Sequence, residues 1–230
     1  MTQTEAYQEI KRIIIQWINQ STNAVLLRIH PDDPQPRHLK TAVDILRGGG
    51  VIIYPTDTIY GLGCDIYNTA AIERVCRIKG IQPKTAQFSF VCGDLSHISD
   101  YTKTIDTPIF RLLKAALPGP YTFILKASKE VPKLLKTRKD TVGIRVPDHK
   151  ITHMLVAELD HPLMSMSLPM DEEVGYYTDP EMMHDRFGGL VDLVIDGGPG
   201  GIVPSTVIDC TSGEPVVVRE GAGEIDRLIG

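Results

Sequence analysis

The chain has 230 residues, 42% hydrophobic and 23% charged, with 20 glycines and 16 prolines. That is the size and composition of one globular domain able to bury a full core without disulfides or metal. A net charge of −5 and a pI near 5.8 exclude polyanion binding through overall charge, so any nucleotide or RNA site has to be a local patch.

Ala6, Ile10, Ile13, Ile14, Trp17 and Ile18 recur at helical spacing, which predicts an amphipathic helix over residues 4–20 in an N-terminal segment, 1–23. Its apolar stripe is expected to dock on the remaining domain, 24–230, or on a second copy, giving an oligomer. Glu5, Glu9, Lys11 and Arg12 interrupt any signal-peptide core, and no apolar run approaches the ~20 residues of a membrane span. Cys64, Cys76, Cys92 and Cys210 are scattered, with no C-x-x-C pair and no histidine at zinc-ligand spacing. The reading is of reduced thiols, no protein metal site and a soluble, cytoplasmic protein away from membranes.

A strand at Ala24–Ile29 ends in the turn-rich Pro31–Pro34, and a helix from about Arg37 to Arg47 stops at Gly48-Gly49-Gly50. That triplet reads as a helix stop, because the lysine and hydroxyl of the G-x-x-x-x-G-K-[ST] phosphate loop are missing. Val51–Tyr54 is a buried-type strand, and Pro55–Asp65 is read as the loop after it. Thr69 is expected to cap a helix running to Lys79, with Gly80 as its stop. Further strands are predicted at Phe88–Cys92, Tyr121–Lys126, Val142–Val146, Leu163–Met166, Leu193–Ile195, Thr206–Asp209 and Val216–Arg219. Helices at about 105–116, 151–159 and 180–187 separate several of them. The alternation predicts a single α/β domain with a twisted mixed sheet, partly antiparallel because the last strands follow one another without helices.

Chemistry-bearing residues fall in short clusters. Thr56, Asp57 and Thr58 bunch at the C-terminal end of a strand, where open α/β sheets bind ligands, although an ordinary connection would look similar. Lys79 either complements the negative end of its helix dipole or faces a ligand. Arg145 lies within an apolar strand, a position that demands either an internal partner or a ligand cleft. Strand periodicity turns Ser165 and Ser167 to one face, and Ser205 and Thr206 open a later strand. Arg219 closes the apolar run Pro215–Val218.

The ordered series P-T-D-T-x-Y-G-L-G, K-G, P-G-P-x-T-F-I-L, R-V-P, S-x-S, P-S-T-V-I-D and V-V-V-R-E-G spans residues 51 to 221. It resembles the motif set of the YrdC family, most closely its YciO branch. The resemblance implies a twisted α/β sheet around a large concave cleft. It also implies an activity like that of threonylcarbamoyl-adenylate synthase, in which ATP with Mg²⁺, L-threonine and bicarbonate give threonylcarbamoyl-AMP and pyrophosphate for tRNA modification. By the same resemblance Thr56 and Thr58 belong near threonine, and Lys79 and Arg145 are the catalytic cations. Lys79, Arg145, Ser165, Ser167, Ser205, Thr206 and Arg219 form the nucleotide set.

The pattern breaks in two places. Ile81 stands where the synthases' K-x-R carries arginine, and Pro169 where their S-x-N carries asparagine; Lys84 is a candidate to replace some of the lost charge. Hydrolysis of the adenylate therefore stands beside its synthesis. The competing readings are a nucleotide or threonine sensor and a module for tRNA or double-stranded RNA. The second would use Lys126, Lys129, Lys133, Lys136, Arg138 and Lys139, among which Glu130 and Asp140 interleave.

Overall fold

The computed structural model describes residues 24–135, 140–171 and 175–226. The expected helix over 4–20 lies outside them, as do Lys136, Arg138, Lys139 and the side chain of Lys84.

In chain order the strands are β1 (Val25–Arg28), β2 (Val51–Tyr54), β3 (Gly61–Asp65), β4 (Ser89–Val91), β5 (Tyr121–Lys126), β6 (Thr141–Arg145), β7 (Leu163–Ser167), β8 (Leu193–Asp196), β9 (Thr206–Asp209) and β10 (Val216–Arg219). The helices are α1 (Pro36–Arg47), α2 (Thr69–Lys79), α3 (Ile98–Tyr101), α4 (Thr107–Ala116), α5 (Lys150–Leu159) and α6 (Pro180–Phe187). All the strands join one twisted mixed sheet, ordered β1-β8-β2-β3-β7-β4-β6-β5-β9-β10. Antiparallel pairing is not confined to the last strands: β2–β3, β3–β7, β4–β7 and β5–β6 are antiparallel as well as β9–β10.

Two local expectations are corrected. The segment Pro55–Asp65 is not all loop, because Gly61–Asp65 returns as β3 beside β2. The cap of α2 is Asn68, whose Oδ1 accepts the Ala71 N–H at 3.0 Å, and not Thr69.

Side-chain alternation divides the core between the two sheet faces. Val51 and Ile53 join the cluster packed on α2, α4 and α6, whereas Ile52 and Tyr54 join the one beneath α1 and α5. The α1 stripe Leu39, Ala42, Val43 and Leu46 covers part of this second face, and Ile151, Leu155 and Leu159 of α5 cover more. Val91 of β4 and Leu163 of β7 still lie in that cluster. Two residues along the same strands, Ser89 and Ser165 share its face but line an open cavity. Where α1 and α5 stop covering the sheet, the exposed part of the face becomes the site.

Asp192 ties this frame together. Its Oδ2 accepts the Val51 N–H at 2.7 Å and an Arg74 Nη1 hydrogen bond at 2.6 Å, joining the starts of β2 and β8 to α2. Asp192→Ala strands an amide and a guanidinium together and is expected to lower unfolding free energy by about 1–3 kcal/mol. Denaturant titration measures it.

Candidate functional site

The cavity measures about 190 Å³ and its floor is a row of cross-strand partners. Gly61 lies opposite Ser167, Ser165 opposite Ser89, Ser89 opposite Gly143, and Gly143 opposite Ile124. Thr122 then faces Val207 across β5 and β9. Small and hydroxylated residues on five adjacent strands leave a trough where larger side chains would have filled the face.

Arg145 closes one wall. Its Nη2 donates to Asp57 Oδ1 and to Thr58 Oγ1, each at 3.0 Å, and the residue is only 9% exposed. Arg145 thus has the internal partner that its position demands, and it also lines the cavity. Its Nε is buried without a hydrogen-bond partner among the described residues. The other Asp57 oxygen accepts the Asp148 N–H at 3.1 Å, so one carboxylate clamps both ends of the turn after β6.

Thr56 and Thr58 shape the loop and do not line the cavity. Thr56 Oγ1 donates to the Ile59 carbonyl at 2.7 Å and accepts the Thr58 N–H at 3.1 Å, a side-chain turn that presents Ile59, Tyr60 and Gly61 to the wall. The glycine run after β8 docks on this loop: Gly201 N donates to the Thr58 carbonyl at 2.7 Å, and Tyr60 Oη donates to the Gly198 carbonyl at 2.7 Å. A Cβ on Gly201 would stand 2.4 Å from that Thr58 oxygen, which explains the glycine.

The far wall is built by Ser205 and Arg219. Ser205 Oγ and Thr122 Oγ1 are 2.8 Å apart, and Arg219 Nη2 donates to the Ser205 carbonyl at 2.8 Å. Thr206 is fully buried outside the cavity; its hydroxyl donates to the Gly223 carbonyl at 2.7 Å and accepts the Gly221 N–H at 3.0 Å. Lys79 stands behind the wall, its Nζ donating to the Leu168 carbonyl at 3.1 Å and to Ser167 Oγ at 3.3 Å. Burial lowers its pKa from the ordinary lysine value. The structure thus brings Arg145, Ser165, Ser167, Ser205 and Arg219 onto one cavity, with Lys79 one side chain away. Sequence reasoning did not single out Gln87, Ser89 or Thr141, which line the cavity. The signal for Ser89 was the alternation of β4, which puts it opposite Ser165.

Charge selects the kind of ligand. Among the described residues the wall holds Arg145 and Arg219 and no aspartate or glutamate, in a chain whose net charge is −5. Arg145 is already paired with Asp57, so the charge the wall presents is chiefly that of the exposed Arg219, and with no acid on the wall it favours an anion. A second depression, of about 540 Å³, lies at the end of β4 beside α5, with Asp94, Asp100, Asp160, His97 and His153 on its wall. It is roomier but holds none of the ordered motifs' hydroxyls or cations.

The family model of Sua5, YciO and YrdC domains, described as telomere recombination, matches residues 44–221. The chain belongs to the Sua5/YciO/YrdC family. It is 48% identical over 202 residues to the protein YciO of Escherichia coli K12, covering 87% of this chain and 97% of that one. It is 31% identical over 196 residues to the threonylcarbamoyl-AMP synthase of Pyrococcus abyssi, covering 84% of this chain and 57% of that one. Among solved structures, E. coli YciO superposes with a TM-score of 0.84 at 45% identity, covering 90% of this chain and all of the other. Pyrococcus abyssi Sua5 complexed with L-threonine gives 0.79 at 27% identity, covering 90% of this chain and 61% of the other.

Within the YciO-like frame, Ile81 is partly buried and packs against the core beside α2. This position therefore serves packing here. The described lysines of the basic cluster, Lys126, Lys129 and Lys133, are solvent-exposed.

Two predictions follow from this geometry. Asp57→Ala leaves the Arg145 guanidinium buried without its counter-charge and is expected to cost about 3–5 kcal/mol in chemical denaturation. His149 reports the same region: burial and, to a lesser degree, His153 hold its pKa below 6.5, against the opposing pull of Asp57 and Asp148. The unfolded chain therefore takes up this proton more readily than the folded one. The His149 contribution is complete above about pH 6.5 and is lost as pH falls toward the depressed value. His149→Gln should flatten the fall in unfolding free energy between pH 7 and pH 5.

Proposed function

We propose that the cavity binds threonylcarbamoyl-adenylate and that the protein makes or hydrolyses it. The observation that carries the reading is the acid-free wall of Arg145, Arg219 and serine hydroxyls, backed by Lys79, on a family fold whose relatives include a threonylcarbamoyl-AMP synthase. The threonine-bound Pyrococcus abyssi Sua5 supports threonine as the amino-acid component.

In the synthetic direction the threonine amine and bicarbonate form a carbamate with loss of water. A carbamate oxygen then attacks the α-phosphorus of ATP, forming one P–O bond as the bond to pyrophosphate breaks. Protein catalysis of such a transfer is positioning plus charge stabilisation, and ATP brings its own Mg²⁺. Arg145 and Arg219 offset phosphate charge, Ser165, Ser167 and Ser205 hydrogen-bond to ligand oxygens, and Lys79 swings from its Ser167 contact to the phosphates. Thr56, Thr58 and Thr206 act by holding the walls in place. The threonine end lies beside Ile59–Gly61. In the hydrolytic direction water displaces AMP from the same mixed anhydride.

The missing arginine and asparagine remove two groups that a pyrophosphate-releasing transition state would use. Losing such groups costs orders of magnitude in rate, so synthesis is expected to be slow and cleavage of preformed adenylate comparatively favoured. Incubation with ATP, Mg²⁺, L-threonine and bicarbonate, followed by mass detection of the adenylate and assay of pyrophosphate, tests one direction. AMP release from preformed adenylate tests the other. Turnover in either direction is expected, and absence of both defeats the reading. Lys79→Ala and Arg219→Ala should each weaken ATP affinity by about tenfold or more, as the loss of a charged hydrogen bond does; calorimetry measures it.

A further inference from the structure

Tyr54 is the last residue of β2 and is completely buried. It lines no part of the cavity, yet it reaches it. Its ring crosses the neighbouring strand β3 where that strand has no side chains: a Cβ on Gly61 would meet Tyr54 Cε1 at 2.8 Å, and one on Gly63 would meet it at 2.9 Å. Beyond β3 the phenol donates a 2.6 Å hydrogen bond to Ser165 Oγ on β7. Ser165 is 4% exposed and forms part of the cavity wall.

A serine hydroxyl has one proton and two lone pairs. Here a lone pair is occupied by Tyr54, and among the described residues no protein group takes the Ser165 proton. Tyr54 stays protonated at any physiological pH, since burial pushes its pKa up to about 12. We propose that Tyr54 is a positioning residue that fixes the Ser165 hydroxyl as a donor to an acceptor oxygen of the bound ligand, phosphoryl or carbamoyl. The proposal rests on the adenylate reading of the cavity and assigns a role to the two glycines: they are the gap through which the phenol crosses β3. Without the phenol, Ser165 is free to rotate and its proton is shared between the cavity and the sheet.

Calorimetry on the full chain, with ATP–Mg²⁺ and L-threonine as separate probes, tests it. Tyr54→Phe removes one oxygen at nearly constant volume, and it should weaken one probe about fivefold. Ser165→Ala should weaken the same probe by at least as much, and the double variant should bind no worse than Ser165→Ala alone. Ser165→Thr should keep the affinity with Tyr54 intact and lose it on Tyr54→Phe. Wild-type affinity in Tyr54→Phe, or losses that multiply in the double variant, would overturn the role of Tyr54 and leave the adenylate reading standing. A wild-type protein that binds neither probe overturns the adenylate reading and the proposal with it.

Discussion

The Asp57 carboxylate and the Arg145 guanidinium meet at 3.0 Å, with side chains only 8% and 11% exposed. A charge placed that deep is tolerable only with a counter-charge and hydrogen bonds around it. Asp57 comes from the loop after β2 and Arg145 from the end of β6, four strands away in the sheet order. Their union fixes the distance between the two halves of the sheet at the mouth of the cavity. The second Asp57 oxygen holds the turn at Asp148, and Thr58 shares the guanidinium while its carbonyl receives the Gly201 amide. The loop that leads to Ser205 is therefore positioned, through Thr58, by the same pair.

Geometry around this pair leaves a binding surface by omission. Helices α1 and α5 cover the sheet as far as Val91 and Leu163, and beyond them the same face carries serines, glycines and threonines. Side chains that small do not fill the trough, and with Arg145 balanced by Asp57 the remaining charge on its wall is that of Arg219. The proposed anion recognition rests on that placement more than on any individual hydrogen bond.

Most of the architecture was legible because strands such as Val51–Tyr54 and Leu193–Asp196 are short apolar runs bounded by turn residues. β3 was not, because its glycines read as loop and a strand loses packing with each one. They are present because the Tyr54 ring occupies the space their side chains would take, a long-range fact invisible in local propensity. The candidate site was legible as a set of motifs. The division of labour within it was not. The hydroxyls of Thr56, Thr58 and Thr206 are engaged by the Ile59 carbonyl, the Arg145 guanidinium and the Gly223 carbonyl, and nothing in the local sequence distinguishes such a hydroxyl from the cavity-facing ones of Ser165 or Ser205. Ile81 shows the converse: its departure from the expected K-x-R pattern stands in the sequence, while its packing against the core emerges only in three dimensions.

The chain thus has the family fold with a row of hydroxyls and two arginines on the cavity wall. Its central claim is that the acid-free trough is where an adenylate sits. A crystal structure with AMP at saturating concentration tests this most directly. The account predicts the phosphate against Arg219, Ser205 and the Arg145 wall. AMP seated in the depression lined by Asp94 and His153, or a trough that stays empty at saturation, would contradict it.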